Sequence, residues 1–315
     1  MLQAMDDGIC QFSRQFENSA TGPDAAAVQG AYAAIRAHLP ALPRQGAGRA
    51  VASLLDIAPA VDAFLLDAWG VLNRGARPVP GVAARLAELR AMGKTLRVVT
   101  NDGSRDGAQA VAKFRALGYD FAAAEIITAR GAALAAAGPF RRAGGRWGVM
   151  GLADAIPGAI ALADDPADYA VACGFLLLDS SDWTPARQAL LEAALRAHPR
   201  RVVVGNPDLV SPDLHGFNVE PGYWAHRLRE TVGVEPEFHG KPFPSVFAAA
   251  LASLPEIDPA RVVMVGDTPQ TDILGGAVAG CRTALVTGHG ILRGQDVRAS
   301  LAAAAIRPDW LLDSP

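Results

Sequence analysis

The chain has little cysteine, no excess of charge of either sign and no apolar run long enough for a bilayer. Cys10, Cys173 and Cys281 are odd in number, far apart, and form neither a CxxC pair nor a His/Cys cluster. That spacing argues against a disulfide framework and a zinc site, and the simplest setting is a reducing cytoplasm. The 29 Lys and Arg nearly balance 32 Asp and Glu, for a formal charge of -3. No basic run breaks the balance, so the electrostatic footprint of a nucleic-acid binder is missing. An anionic small molecule stays compatible, provided that positive charge is local. Residues Met1 to Ala20 carry Asp6, Asp7, Arg14 and Glu17 and lack an apolar signal core. Apolar runs such as Tyr169 to Leu178 are too short to span a membrane.

What is present suits a globular protein with a sizeable core: half of the residues are hydrophobic and 19% are charged. A length of 315 residues sets about two domains as the expectation. Residues 1–47 stand apart as an arm, with a disordered start and a helix over Ala25 to Leu39 that Pro40, Pro43, Gly46 and Gly48 end. The plainer alternative is an ordinary helix packed on the core. From Val61 the rhythm changes. Short apolar runs at Ala63–Leu66, Thr95–Val99, Arg261–Val265, Thr283–Val286 and Trp310–Leu312 predict strands. Helical patterns at Val82–Met92, Asp106–Leu117 and Thr271–Ala279 alternate with them. This is the pattern of an α/β fold, a parallel sheet wrapped on both faces.

Lys241 follows Asn101 by 140 positions, too many for one crossover. Strands predicted at Arg146–Met150, Ala170–Leu178 and Val202–Val204, with a helix from Thr184 to Ala197, make the economical reading a second α/β module inserted into the first. The expected division is a core of 48–128 and 236–315 and an inserted cap of 129–235.

Four segments carry chemistry: Asp67-Ala68-Trp69-Gly70-Val71-Leu72, Thr100-Asn101-Asp102-Gly103-Ser104-Arg105, Gly240-Lys241-Pro242, and Gly266-Asp267-Thr268-Pro269-Gln270-Thr271-Asp272-Ile273. Asp67, Thr100 and Asp267 each stand where a predicted strand gives way to a loop, and ligands of parallel sheets bind beyond those ends. Phosphoryl transfer needs an oxygen nucleophile, a divalent cation and fixed donors for the equatorial oxygens. A carboxylate that attacks phosphorus divides one difficult step into two. Magnesium takes oxygen ligands and keeps several waters, so two carboxylates and a carbonyl suffice. Asp67 and Asp267 supply the carboxylates in this reading. Asp272 holds a metal-bound water or orients Lys241. Thr100 offers a hydroxyl donor and Lys241 a compact positive charge.

In this order and setting the segments resemble the four motifs of the haloacid dehalogenase superfamily. The long insert, Asn206-Pro207-Asp208 and Gly240-Lys241-Pro242-Phe243-Pro244 are similar to its class IIA branch, with its nitrophenylphosphatase-like and sugar-phosphatase-like enzymes. The resemblance covers about Ala63 to Leu312. It implies a Rossmann-like core, an α/β cap that selects the substrate, and a magnesium-assisted aspartyl-phosphate mechanism on a small phosphorylated metabolite. Under it Asp67 is the nucleophile, and Thr100, Asn101 and Lys241 hold the phosphate beside Trp69 and Gly70. Asp67, the Trp69 carbonyl, Asp267 and Asp272 form the metal side. A homodimer through the cap is found in similar proteins.

Position 69 departs from the pattern. Phosphatases of this kind carry a second Asp there, which protonates the leaving oxygen. Three readings follow: a phosphatase favouring good leaving groups or using another proton donor, with Asp102 and His239 as candidates; chemistry at a C–halogen or C–P bond; or a module that binds a phosphorylated ligand without turnover. Asp179-Ser180-Ser181-Asp182-Trp183 and Asn206-Pro207-Asp208 face the substrate or are plain loop residues. Arg105 touches phosphate or pairs with an acid. His215, His226 and His289 carry no ligand spacing, and Thr287-Gly288-His289-Gly290 is too generic to interpret.

Overall fold

The structure is a computed structural model that describes residues 25–142, 145–151, 156–212 and 217–315. Its strands, in chain order, are β1 (Arg49–Ala50), β2 (Ala63–Leu66), β3 (Asn73–Arg74), β4 (Arg77–Pro78), β5 (Thr95–Thr100), β6 (Ile126–Thr128), β7 (Trp147–Met150) and β8 (Ile160–Ala161). They continue with β9 (Gly174–Leu177), β10 (Val202–Val204), β11 (Val210–Pro212), β12 (Phe217–Val219), β13 (Glu237–Phe238), β14 (Val262–Gly266), β15 (Arg282–Val286) and β16 (Trp310–Leu312).

Seven of these form a parallel sheet in the order β1-β16-β15-β14-β2-β5-β6. Strand β2 lies inside it with all four residues buried, which explains a run without polar alternation. Side chains still alternate between faces. Phe64 and Leu66 pack with Leu54, Val82, Leu89 and Phe114 from the helices Leu54–Ile57, Val82–Ala91 and Gly107–Ala116. Ala63 and Leu65 pack with Val246, Phe247 and Ala250 of helix Pro244–Ala252 on the other face. The sheet is therefore covered on both sides, as the alternating pattern predicts.

Residues 129–232 contribute most of a second sheet, parallel and five-stranded, in the order β13-β10-β9-β7-β8. Its edge strand β13 falls at 237–238, just past the expected cap boundary. The apolar run Ala170–Leu178 is not one strand. Asp165 caps a helix over Pro166–Val171, with proline at its first position, and only Gly174–Leu177 joins the sheet. Helix Pro185–Ala197 starts as predicted, the Thr184 side chain accepting from the Arg187 N–H. The predicted helix Thr271–Ala279 is shorter. A wide π turn, Pro269–Ile273, precedes an α-helix of Leu274–Val278. Such turns recur at functional sites because they re-aim a side chain.

The arm is not free-standing. Its helix covers Ala25–Ala34 and passes into a 3₁₀ turn at Arg36–His38. Val28, Ala31, Tyr32 and Ile35 are buried in one cluster with cap residues such as Leu209, Tyr223 and Trp224. The expected disorder of Met1 to Pro23, and also Cys10 and His215, fall outside the described residues. Cys173 and Cys281 are free. No helix among the described residues is long and apolar enough to cross a membrane.

Phe64 is fully buried at the centre of the larger core. We expect Phe64→Ala to cost about 3–5 kcal/mol, the usual value for emptying an aromatic site in a packed core. Urea unfolding checks this, and a loss below about 1 kcal/mol contradicts the central position assigned to β2.

Candidate active site

Strand register brings the acids together. Leu66 pairs with Val265 on one side and Val98 on the other. The Asp67 N–H extends the ladder, donating to the Val265 carbonyl at 2.9 Å. Asp67, Thr100 and Asp267 thus emerge side by side at the carboxyl edge of three adjacent strands, all nearly buried.

Lys241 is the hub. Only 2% exposed, it places Nζ 2.5 Å from Asp67 Oδ1 and 2.7 Å from Asp272 Oδ1. A buried ammonium is unfavourable unless paired. Burial would lower its pKa, but Asp272, Asp67 and Asp208 outweigh that and hold it above the ordinary lysine value. The Asn101 side chain clamps the same residue, accepting from the Lys241 N–H at 2.7 Å and donating to its carbonyl at 2.9 Å. It donates also to Asp208 Oδ1 at 2.9 Å. The Asn101 side chain is therefore committed to positioning, and the sequence expectation that it holds phosphate does not extend to that amide. Thr100 Oγ1 accepts from the Asp102 N–H, which leaves its own proton for a ligand.

Asp272 is shared between the turn and Lys241. Its Oδ2 accepts from the N–H groups of Asp267 and Thr268 at the start of the π turn, while Oδ1 faces Lys241. Asp267 accepts from the Thr268 hydroxyl at 2.9 Å and from the Ile291 N–H at 2.8 Å. Two glycines allow this. A Cβ on Gly70, at φ +70°, would lie 2.6 Å from the Asp267 Cβ, and one on Gly290 would lie 1.8 Å from Asp267 Oδ2. Gly70 thus acts by making room for Asp267. The Thr287–Gly290 loop, too generic in sequence to interpret, closes the other side of the same carboxylate.

Ligand oxygens of Asp67, Asp267 and Asp272 all lie within 4.8 Å of one another, and all three residues are buried. Three carboxylates against one lysine leave a buried charge of −2, which a divalent cation would neutralise. Burial first, then Asp272, pushes Asp267 up to about 7, the signature of crowded acids without a counter-charge. The residues present fit such a cation. Hydrogen bonds of the loop run from Leu72 and Asn73 to the Ala68 carbonyl and from Gly70 to the Asn73 carbonyl, and none of these uses the Trp69 carbonyl. The Trp69 ring does two things, packing against the core cluster and lining the cavity.

Neither candidate for the missing proton donor suits the task. Asp102 lines the cavity, but against the effect of burial Lys113, Ser104 and Arg105 hold it at about 2, so it stays ionised. Arg105 is its partner at 2.7 Å, the pair with an acid that the sequence allowed. His239 bonds Ser245 through Nδ1 and is not among the residues lining the cavity. In the Asp179–Trp183 segment Asp179 closes a turn on Ser181, Asp182 pairs with Arg187, and Trp183 donates to Gln188. Asp208 does reach the cavity, and burial pushes it up to about 7 despite Lys241 and Asn101. Tyr32 reaches it too, which no motif could have announced. The cavity is small, about 50 Å³. A larger one of about 920 Å³ lies along the arm, lined without any carboxylate.

A buried acid cluster of this kind, at the carboxyl edge of a parallel sheet and under an inserted α/β cap, defines a hydrolase core of the haloacid dehalogenase type. The chain matches the family models for haloacid dehalogenase-like hydrolases over residues 64–156 and for HAD-hydrolase-like proteins over 238–314. It is 34% identical over 287 residues to a glycerol-3-phosphate phosphatase of Gallus gallus, covering 81% of this chain and 89% of that protein. A structure from Cytophaga hutchinsonii, described as a "possible sugar phosphatase, HAD superfamily", superposes with a TM-score of 0.74 at 27% identity, covering 85% of this chain and 98% of the other. A glycerol phosphate phosphatase of Mycobacterium tuberculosis, in complex with magnesium, gives 0.60 at 26%, covering 74% and 70%. The protein belongs to the haloacid dehalogenase-like hydrolases, in their class IIA.

Asn206-Pro207-Asp208 is itself held by Glu220, which accepts from Asn206 Nδ2 at 2.9 Å and from the Ser211 hydroxyl. Burial pushes Glu220 up to about 8 from an ordinary 4.5. The folded protein therefore keeps a proton that the unfolded chain has already lost, so stability declines as pH rises from about 4.5 to about 8. This one group contributes at most about 1.4 kcal/mol per pH unit to the slope, to which Asp208 and Asp267 add in the same direction. We expect Glu220→Gln to flatten it, as read by urea unfolding at several pH values across that window. An unchanged slope would assign the proton elsewhere.

Proposed function

We propose that the protein is a magnesium-dependent phosphatase acting on a small organic phosphate, with the cap choosing the substrate. The observation that carries this reading is the convergence of Asp67, Lys241, Asp272 and Asp267 beyond the carboxyl edge of the parallel sheet. Relatives named glycerol-3-phosphate phosphatase and acid sugar phosphatase support it.

Asp67 attacks phosphorus in line, and the P–O bond to the leaving group breaks as the aspartyl phosphate forms. Thr100 and Lys241 hold the equatorial oxygens. Water then attacks the aspartyl phosphate, which releases phosphate and restores the carboxylate. Asp67, Asp267 and the Trp69 carbonyl would hold the cation, while Asp272 keeps Lys241 aimed at Asp67. When bound, magnesium offsets the repulsion between the carboxylate and the phosphate dianion. Asp67→Asn is expected to lower turnover of an aryl phosphate by at least about 10³-fold, and removing magnesium with a chelator to abolish it. Full activity in either case sinks the mechanism.

Trp69 favours esters whose leaving oxygen departs without a proton. Aryl phosphates are then turned over faster than alkyl phosphates. Trp69→Asp restores the acid and should raise alkyl-ester turnover by about 10²–10⁴-fold, with a smaller gain on aryl esters. A second reading, a module that binds a phosphorylated ligand without turnover, rests on the same tryptophan. Phosphate binding with no turnover of any ester would select it.

A further inference from the structure

The arm helix Ala25–Ala34 reaches the catalytic cavity through one side chain, Tyr32. The helix is anchored twice. Val28, Ala31, Tyr32 and Ile35 pack with the cap's Leu209, Tyr223 and Trp224. The same helix lies against the core helix Val297–Ala304, and the following turn adds a hydrogen bond from the Arg36 guanidinium to the Ala304 carbonyl. Held this way, Tyr32 is 4% exposed and lines the cavity together with Asp67, Thr100, Asp208 and Lys241. Among the described residues it alone lines both this cavity and the larger one along the arm. Its ring stands in the wall between them.

The hydroxyl has one use left. Its oxygen takes a long contact, 3.5 Å, from the Leu209 N–H. Its own proton has no acceptor among the described residues. Buried hydroxyls seldom leave a donor idle, and the polar space beside this one is the cavity. In-line attack from Asp67 puts the leaving oxygen on the far side of phosphorus, toward the cap. Tyr32 lines the same cavity as Asp67 and belongs to its cap wall, where Asp208 lines it too and Leu209 meets the hydroxyl.

We infer that Tyr32 is a substrate-contacting residue, whose phenol donates a hydrogen bond to the leaving-group oxygen and so sets which esters are cleaved. The inference rests on the phosphatase reading. As the P–O bond breaks, the electron pair goes to the leaving oxygen, the phenol stabilises the growing charge, and water supplies the proton. Burial holds the phenol well above the ordinary tyrosine range, so it acts as a donor and not as an acid. The arm thereby supplies, from outside the segments that match the family, part of the help that position 69 withholds.

The test compares the full chain with its Tyr32→Phe variant on p-nitrophenyl phosphate and phenyl phosphate, with magnesium. The two esters differ in leaving-group basicity and little in size. For phenyl phosphate kcat/KM should fall about 10- to 100-fold, the value of a hydrogen bond to a developing charge, and for the nitrophenyl ester by about 3-fold or less. An equal loss on both esters would mark a structural side chain and overturn the inference. So would unchanged rates on both, or faster rates on both, which would make Tyr32 a plug. Tyr32→Phe should keep its melting temperature, which separates a lost contact from a lost fold. A wild-type chain that cleaved neither ester would overturn the phosphatase reading, a result distinct from wild-type turnover that ignores Tyr32→Phe.

Discussion

One buried ammonium organises this site. Lys241 sits with almost no solvent contact between the carboxylates of Asp67 and Asp272. Removing an ammonium from water costs several kcal/mol, so it persists at such depth only where carboxylates face it at hydrogen-bonding distance. The surroundings follow from that constraint. Asn101 fixes the Lys241 backbone from two directions. The π turn brings Asp272 back toward β14, where two N–H groups hold its other oxygen. Gly70 and Gly290 clear the space that Asp267 needs. With three acids and one base the cluster stays two charges negative, and this imbalance makes a divalent cation the natural completion.

In the proposed reading the site is conservative on the side of the nucleophile and altered on the side of the leaving group. Asp67, Lys241, Asp267 and Asp272 form the arrangement that the haloacid dehalogenase motifs imply. Trp69 stands where similar phosphatases have a second carboxylic acid, and Tyr32 from the arm lines the same cavity. In the proposed reaction, binding of the phosphoryl group and departure of the leaving group depend on different sets of residues. The second set can therefore change while the first is kept, and substrate choice can vary without rebuilding the acid cluster.

Sequence and structure divide the description along a physical line. Ala63–Leu66, Thr95–Thr100 and Val262–Gly266 were legible because a fully buried parallel strand is an unbroken apolar run, and the polar residue that ends it marks the sheet's carboxyl edge. Short edge strands such as β8 and β13 carry too few residues for any period to show. The run Ala170–Leu178 misled because buried helix and buried strand look alike until a cap, here Asp165 before Pro166, is given its weight.

By itself the sequence determined the α/β class and pointed to an inserted second module and to Asp67, Thr100, Lys241, Asp267 and Asp272 as candidates for the chemistry, since each lies at a strand end or in a spaced motif. Only the tertiary structure decided what those residues do to one another. It committed the Asn101 side chain to Lys241 and Asp208, fixed Asp102 as an ionised partner of Lys113 and Arg105, and left His239 off the cavity. It also carried Tyr32 into one cavity with Asp67, 35 positions away in the chain, through a helix wedged between cap and core. Local patterns record the geometry of a strand or a turn. Which side chains share a cavity depends on packing between distant segments, and no spacing along the chain encodes that.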